Sequence, residues 1–256
     1  MSQENIQQDL VVGKNNVTEL LMSDQSIDRV LLAGDPKNKN YKKIVALCKD
    51  KGIPIVHTDM SAINRKAPND NHQGVLAFCA QKEYASVEDI LSAAEARGEV
   101  PFIIVADEIV DPHNLGAILR SADAFGAHGV IISKRRAVGL TPSVAKASGG
   151  AIHYVPVARV TNLVQTIEEL KEKNIWVYGC DMSGKNVYYQ QDYSGGVALI
   201  VGSEEAGISR LLREQCDFFV RIPMKGKISC LNASVAASVI MQEISKQRTQ
   251  GETSIE

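Results

Sequence analysis

The order of apolar and polar positions divides the chain into alternating strand-like and helix-like stretches. Within residues 10–80, RVLLAG (29–34), IPIVH (53–57) and GVLAFCA (74–80) are short apolar runs, which predicts strands. VTELLM (17–22) and YKKIVALCKDKG (41–52) repeat their apolar positions at helical spacing, and Gly52 suits the end of the second helix. A small α/β domain over 1–80 is expected. Residues 81–99, QKEYASVEDILSAAEARGE, are polar and rich in Ala and Glu, which predicts a linker with one short helix. PFIIVADEI (101–109) then opens with a continuous apolar run, as in a strand covered on both faces of a parallel sheet. HGVIIS (128–133), NIWVYGC (174–180), VALIVG (197–202) and DFFVRI (217–222) follow, with helices expected near 114–125, 141–148, 161–173, 207–215 and 232–247. That alternation predicts a second α/β domain with a parallel sheet over 100–247. The polar end, RTQGETSIE (248–256), is expected to be a disordered tail.

Composition adds that a core of ordinary size is available: 45% of the 256 residues are hydrophobic and 23% are charged. No apolar run is long enough to span a bilayer. MSQENIQQDL has neither a basic start nor an apolar h-region, so no signal peptide is expected. Cys48, Cys79, Cys180, Cys216 and Cys230 are scattered and form no CxxC pair, which points away from disulfides and zinc and toward the cytoplasm. Net charge is −2, but its distribution is uneven. No acid falls between Asp123 and Glu168, where Lys134, Arg135, Arg136, Lys146 and Arg159 lie. None falls between Asp217 and Glu243, where Arg221, Lys225 and Lys227 lie. Two acid-free windows can make a local positive face on a nearly neutral molecule, or can be scattered solvated cations.

In an open α/β sheet, ligands bind beyond the carboxyl ends of the strands. Asn114 suits an N-cap, and Gly116 allows a close approach to the first helical turn. Arg120 lies off the apolar stripe of Ile118, Ala122 and Phe125. In IVGSEEAGIS, Gly202 ends a buried strand and Gly207 is read as the start of the next helix. Glu204 either anchors a loop or accepts from a hydroxyl, or serves a helix macrodipole. Gly179 to Asn186 nearly matches a phosphate-binding loop, yet ends on Asn and continues into an extended stretch, which disfavours a P-loop kinase. Ser143 and Lys146 form S-x-x-K without its usual partner motifs. Asp107, Glu108 and Asp111 are read as solvated or capping acids; no metal is expected, and no histidine is assigned as a catalyst.

Three segments taken together are similar to one family. Asn114-x-Gly116-x3-Arg120, then Gly202-x-Glu204-x2-Gly207, then Ile222-Pro223-Met224-x-Gly226 with Leu231-Asn232-x-Ser234-x-Ala236 resemble, in order and spacing, the three motifs of the SpoU/TrmH branch of SPOUT RNA methyltransferases. Asn71-His72-Gln73-Gly74 and the stretch around it resemble that branch's small, ribosomal-protein-like substrate-binding domain. The layout is closest to members that methylate a guanosine 2'-oxygen of large-subunit ribosomal RNA. The resemblance implies a C-terminal trefoil knot, a homodimer, RNA as partner and S-adenosylmethionine as cofactor. It implies catalytic roles for Asn114, Arg120, Glu204 and Asn232. It implies a cofactor site at Gly202, Ile222, Met224 and Leu231, with Lys134, Arg135, Lys225 and Lys227 facing RNA. The glycines Gly202, Gly207 and Gly226 are expected where threaded segments cross. Cys230 stands where family members usually carry Ser: either that Ser is dispensable, or Ser229 substitutes for it, or activity is altered. Transfer RNA methylation, or a non-catalytic RNA-binding or ribosome-assembly role on the same fold, are the competing readings.

Overall fold

The computed structural model describes residues 10–22, 26–33, 41–68, 70–79, 82–228 and 230–252. The chain forms two compact units, residues 1–83 with the segment 139–142, and residues 84–138 with 143–256.

The first unit is built on a four-stranded sheet. Its strands are β1 (Leu10–Val12), β2 (Ile27–Ala33), β3 (Ile55–Thr58) and β4 (Val75–Cys79), ordered β1-β4-β2-β3. Only β2 and β3 run parallel. Alternation along β2 explains its helical cover. Val30 and Leu32 join Val17, Leu21, Ile44 and Cys48 of helices α1 (Lys14–Met22) and α2 (Lys42–Asp50), while Leu31 and Ala33 join Ile63 of α3 (Met60–Lys66). Neither β1 nor α3 was expected from the sequence. A three-residue strand and a seven-residue helix are too short to show a period, and α3 is set instead by Asp59, whose carboxylate caps it by accepting from the Ala62 N–H at 2.7 Å.

The second unit carries seven strands, all pairing in parallel, in the order β7-β6-β5-β10-β8-β11-β9. These are β5 (Phe102–Ala106), β6 (Gly129–Ser133), β7 (Val157–Val160), β8 (Ile175–Cys180), β9 (Asn186–Val187), β10 (Gly196–Val201) and β11 (Phe218–Arg221). The helices are α4 (Val87–Ala96), α5 (Pro112–Ala124), α6 (Pro142–Ala147), α7 (Leu163–Glu172), α8 (Arg210–Gln215) and α9 (Ala233–Glu252). The parallel α/β layer read from the sequence is therefore present. β7 is additional, hidden in the sequence by Pro156 and Arg159 around a short run. β5 and β10 are neighbours, with Ala106 beside Val201. From β5 the chain moves outward through β6 to β7; from β10 it moves the other way, past β8, to β11. Where connections diverge like this, a crevice opens beyond the strand ends.

Two expectations need correction. The one short helix expected within 81–99 is present as α4, but it belongs to the second unit rather than to a linker: Ala85 bridges to Ala158, and α4 is fixed by a reciprocal capping box between Ser86 and Asp89. Ile90 of α4 is fully buried in the main core, and a Cβ on Gly129 would fall 2.5 Å from it, so Gly129 stays bare to admit it. Second, α9 runs on to Glu252, through the start of the supposed tail; residues 253–256 lie outside the described part. Arg248 explains this. Its guanidinium donates to the carbonyls of Val100 (2.8 Å), Pro101 (3.1 Å) and Gly195 (2.9 Å) and lies over Phe102. Burial brings its pKa down to about 10, leaving it charged at neutral pH. Among the described residues no helix is long and apolar enough to cross a membrane.

Arg248→Ala removes three hydrogen bonds to strand-end carbonyls, of which Pro101 keeps the Val197 N–H, and should cost about 2–3 kcal/mol, read as a lower urea midpoint at unchanged slope. His128 is fully buried; its Nδ1 accepts from the Phe102 N–H (3.0 Å) and its Nε2 meets Glu99 (3.0 Å). Burial holds its pKa below the usual histidine value despite Glu99. The unfolded chain therefore takes up a proton that folded His128 resists. That contribution to stability is whole above about pH 6.5 and declines as pH falls toward the folded pKa. His128→Asn should flatten this limb when urea midpoints at pH 7.5 and 5.5 are compared.

Candidate active site

The crevice between β5 and β10 is filled by three side chains from distant parts of the chain. Asn114 lies in the first turn of α5. It is not the N-cap: Asp111 takes that place, its carboxylate accepting from the His113 N–H at 2.9 Å, while Pro112 opens the helix. The Asn114 amide is thereby free to point elsewhere. Its Nδ2 donates to Glu204 Oε1 at 2.9 Å, and its Oδ1 accepts from Asn232 Nδ2 at 2.9 Å. Asn232 Nδ2 also donates to Glu204 Oε1. Asn232 Oδ1 in turn accepts from the Ser234 N–H (3.0 Å), the Ser234 hydroxyl (2.6 Å) and the Val235 N–H (3.3 Å), capping α9. α9 packs along α5, with the Ser121 and Ser238 hydroxyls 2.6 Å apart.

Glu204 therefore anchors this network rather than serving a helix macrodipole. Gly207 does not start a helix either. It closes a turn in which Ser203 and Gly207 exchange backbone hydrogen bonds, and α8 begins only at Arg210. Gly207 has φ of +67°, which only glycine takes without strain. Gly202 meets a different demand: a Cβ there would lie 2.1 Å from the carbonyl carbon of Gly207. Gly116 likewise faces Ala147 so closely that an added Cβ would sit 2.4 Å from its Cβ. Gly226 has nothing within 4 Å of an added Cβ, so it is not a crossing point as expected.

Beside the network lies a cavity of about 810 Å³, counting its open mouth. Gly202, Ile222, Met224 and Leu231 all line it, joined by Glu204 and Cys230. Asp181 at its edge went unnoticed in the sequence, although it directly follows strand β8, where binding residues concentrate. Burial alone would raise its pKa, but Ser183 and the Arg213 guanidinium hold the carboxyl below its ordinary range. Cys180 is pushed up to about 12 by burial, so it is a neutral thiol. Cys230 is exposed, and Ser229, its possible substitute, lies outside the described residues. The phosphate-loop look-alike ends in a tight turn and strand β9, with no helix to bind phosphate.

A second cavity, about 1020 Å³ with its mouth, shares Asn114, Ser203 and Glu204 with the first site and is otherwise lined by the loops after β5, β6 and β10. Glu108 and Arg136 face each other across it at 3.1 Å, and both take left-handed backbone, φ 53° and 54°. Lys134 and Arg135 precede Arg136, and Lys225 and Lys227 sit exposed between Met224 and Leu231. Because the strands are all parallel, these loops open on the same edge of the sheet.

Arg120 is the residue not brought in. It is exposed on the far side of α5, its guanidinium within 4 Å of where a Gly149 side chain would begin, and it lines neither cavity. Six residues turn a helix through about 600°, so Arg120 and Asn114 cannot share a face. Among the described residues no group of three or more His, Cys, Asp or Glu side chains could hold a metal ion.

The SpoU rRNA Methylase family profile matches residues 101–242, and a profile described as RNA 2'-O ribose methyltransferase substrate binding matches 10–85. A Bacillus subtilis (strain 168) protein named for the TrmH family tRNA/rRNA methyltransferases, YacO, is 47% identical over 242 residues, covering 94% of this chain and 97% of its own. Among solved structures, the SpoU methyltransferase AviRb from Streptomyces viridochromogenes, in complex with the cofactor AdoMet, aligns with a TM-score of 0.60 at 25% identity, over 94% of this chain and 90% of its own. The A. aeolicus TrmH/SpoU tRNA modifying enzyme aligns at 0.53 with 27% identity, over 59% of this chain and 76% of its own.

Gly202→Ala tests the geometry of the pocket wall. The new methyl would meet backbone rather than a movable side chain, so a loss of about 1–3 kcal/mol in stability is expected. Thermal unfolding of the variant checks it.

Proposed function

The chain belongs to the SpoU/TrmH family of RNA methyltransferases, and from that premise we propose that it transfers a methyl group from S-adenosylmethionine to a ribose 2'-hydroxyl of RNA, a guanosine of large-subunit ribosomal RNA being the preferred target. The observation that carries this reading is the joining of Asn114, Glu204 and Asn232 into one network at the wall of a pocket lined by Ile222, Met224 and Leu231.

The residues fit the cofactor. The cavity's apolar walls suit an adenine ring and a methionine chain. Gly202 brings main-chain groups to the cavity wall, and Asp181 offers a carboxylate to hydroxyl or ammonium groups. When bound, S-adenosylmethionine supplies an electrophilic methyl group on a sulfonium.

The work left to the chain is orientation and charge. In-line transfer needs the ribose oxygen held on one axis with the methyl carbon, and positioning of this kind lowers barriers by several kcal/mol. Asn114 and Asn232 are locked by Glu204 and by the α9 cap, so their amides are pre-set rather than recruited. The 2'-hydroxyl is a very weak acid. Arginine stays protonated and cannot serve as its base. Arg120 instead stabilises the forming alkoxide and holds the neighbouring phosphate, which assists loss of the proton. For this Arg120 must come from a second copy of the chain, since in its own chain it faces away from Asn114. The homodimer is thus part of the proposal, as is a knotted passage of residues 222–232. Residues 10–85 would bind RNA, with Lys134, Arg135, Lys225 and Lys227 contacting phosphates. A small domain ahead of the methylase domain is the layout of the ribosomal RNA members that the sequence resembles, and that layout supports ribosomal over transfer RNA.

Arg120→Ala should bind S-adenosylmethionine as the wild type does and lose at least a hundredfold in turnover on ribosomal RNA. Mixing it with a Glu204→Ala chain, each inactive alone, should restore part of the activity, because a mixed dimer holds one intact composite site. Near-normal turnover of Arg120→Ala, or label entering transfer RNA only, overturns the corresponding part of the reading.

A further inference from the structure

The second cavity is acidic on a protein whose partner is a polyanion. Glu108, Asp111, Glu204 and Glu205 line it, with Arg136 the one cation among its described lining residues. Carboxylates repel phosphate, so this hollow is no seat for the RNA backbone. Carboxylates do accept from base N–H groups. Beside the polar Asn114 and Ser203, the lining has apolar surface: Ile109 is buried, and Val110 is 66% exposed. A flat apolar ring resting on Val110, with its polar edge turned to the acids, fits such a surface. The position fits as well, because Asn114 and Glu204 are shared with the methyl-transfer site, and a nucleotide whose ribose lies at Asn114 must place its base within a few ångströms.

We propose that this cavity receives the base of the nucleotide being methylated, and that Arg136 and Glu108 read it as guanine. The inference rests on the ribose-methylation reading above. The pairing edge of guanine presents an acceptor, O6, followed by two donors, N1–H and the N2 amino group. An arginine N–H beside the two oxygens of a carboxylate presents a donor followed by two acceptors, its complement. Uracil alternates acceptor, donor and acceptor; cytosine presents one donor and then two acceptors; adenine presents one donor and one acceptor. None of these offers the adjacent donors that a carboxylate fork takes. Arg136 and Glu108 already stand 3.1 Å apart, and Arg136 is 80% exposed, free to swing onto O6. The pair is held in place by the Val138 N–H, which donates to the Ile109 carbonyl at 2.9 Å and joins the two loops. Lys134 and Arg135, just before Arg136, supply cations for the flanking phosphates. Arg136 and Glu108 bind the base and leave methyl transfer itself to the network.

The test uses the full chain, S-adenosylmethionine labelled in its methyl group, and ribosomal RNA without the modification. The labelled nucleoside is identified by mass spectrometry after digestion. It should be 2'-O-methylguanosine. On a short RNA carrying the mapped site, Glu108→Gln and Arg136→Gln should each lower kcat/KM by about 5- to 150-fold, the range of one good base contact, with S-adenosylmethionine binding and melting temperature unchanged. Inosine at the target, which lacks the N2 amino group, should slow the wild type but make little further difference to Glu108→Gln. Label on adenosine, cytidine or uridine, or a folded Glu108→Gln enzyme with unchanged kcat/KM and the full inosine penalty, overturns the base assignment and leaves ribose methylation standing. Failure of the wild type to label any RNA removes the parent reading, and this one with it.

Discussion

One carboxylate oxygen holds the functional half of this protein together. Glu204 Oε1 accepts from the amides of both Asn114 and Asn232, residues 118 positions apart in the chain. The two helices that supply the amides are therefore tied to the loop after β10. The same Asn232 caps α9, so the cavity wall, the helix start and the polar cluster form one cooperative unit.

The network is possible because the sheet is parallel and its connections diverge at β5 and β10. That topology sends the loops after both strands to the same edge and leaves a gap between them. Asn114 follows β5, Glu204 follows β10, and Asn232 follows β11 after a stretch that also carries Ile222, Met224 and Leu231. Small residues then set how closely these segments approach. Gly202 lies against the backbone of Gly207, and Gly116 against Ala147, distances that no side chain would permit. The opposite ends of β5 and β10 are secured by a different device, the Arg248 guanidinium spanning Val100, Pro101 and Gly195.

Much of the site was legible in the sequence, the loops to search from the residues and the site residues from the family resemblance. Strands with continuous apolar runs stood out because both faces are covered, and the loops after them were the right places to search. Three of the four proposed catalytic residues meet, and all four proposed cofactor contacts line one cavity. The readings that failed were those that turn on a neighbour far away in sequence. Asn114 looks like a helix cap until Asp111 and Pro112 are seen to do that work. Gly207 looks like a helix start until its bond to Ser203 is seen. Arg248 looks like part of a loose tail because its three carbonyl partners lie 53 to 148 residues away. The polar stretch 81–99 hid a core residue, Ile90, since one buried position in a short helix makes no period.

The sequence by itself determined the element types, the parallel sheet and the presence of Asn, Glu and Gly at strand ends, because local periodicity and backbone preferences act over a few residues. Only the tertiary structure decided which of those groups meet. It joined Asn114, Glu204 and Asn232, turned Arg120 away from them, and set Arg136 against Glu108. Hydrogen-bond partnership depends on distances of about 3 Å between side chains that the chain brings together only when the sheet closes.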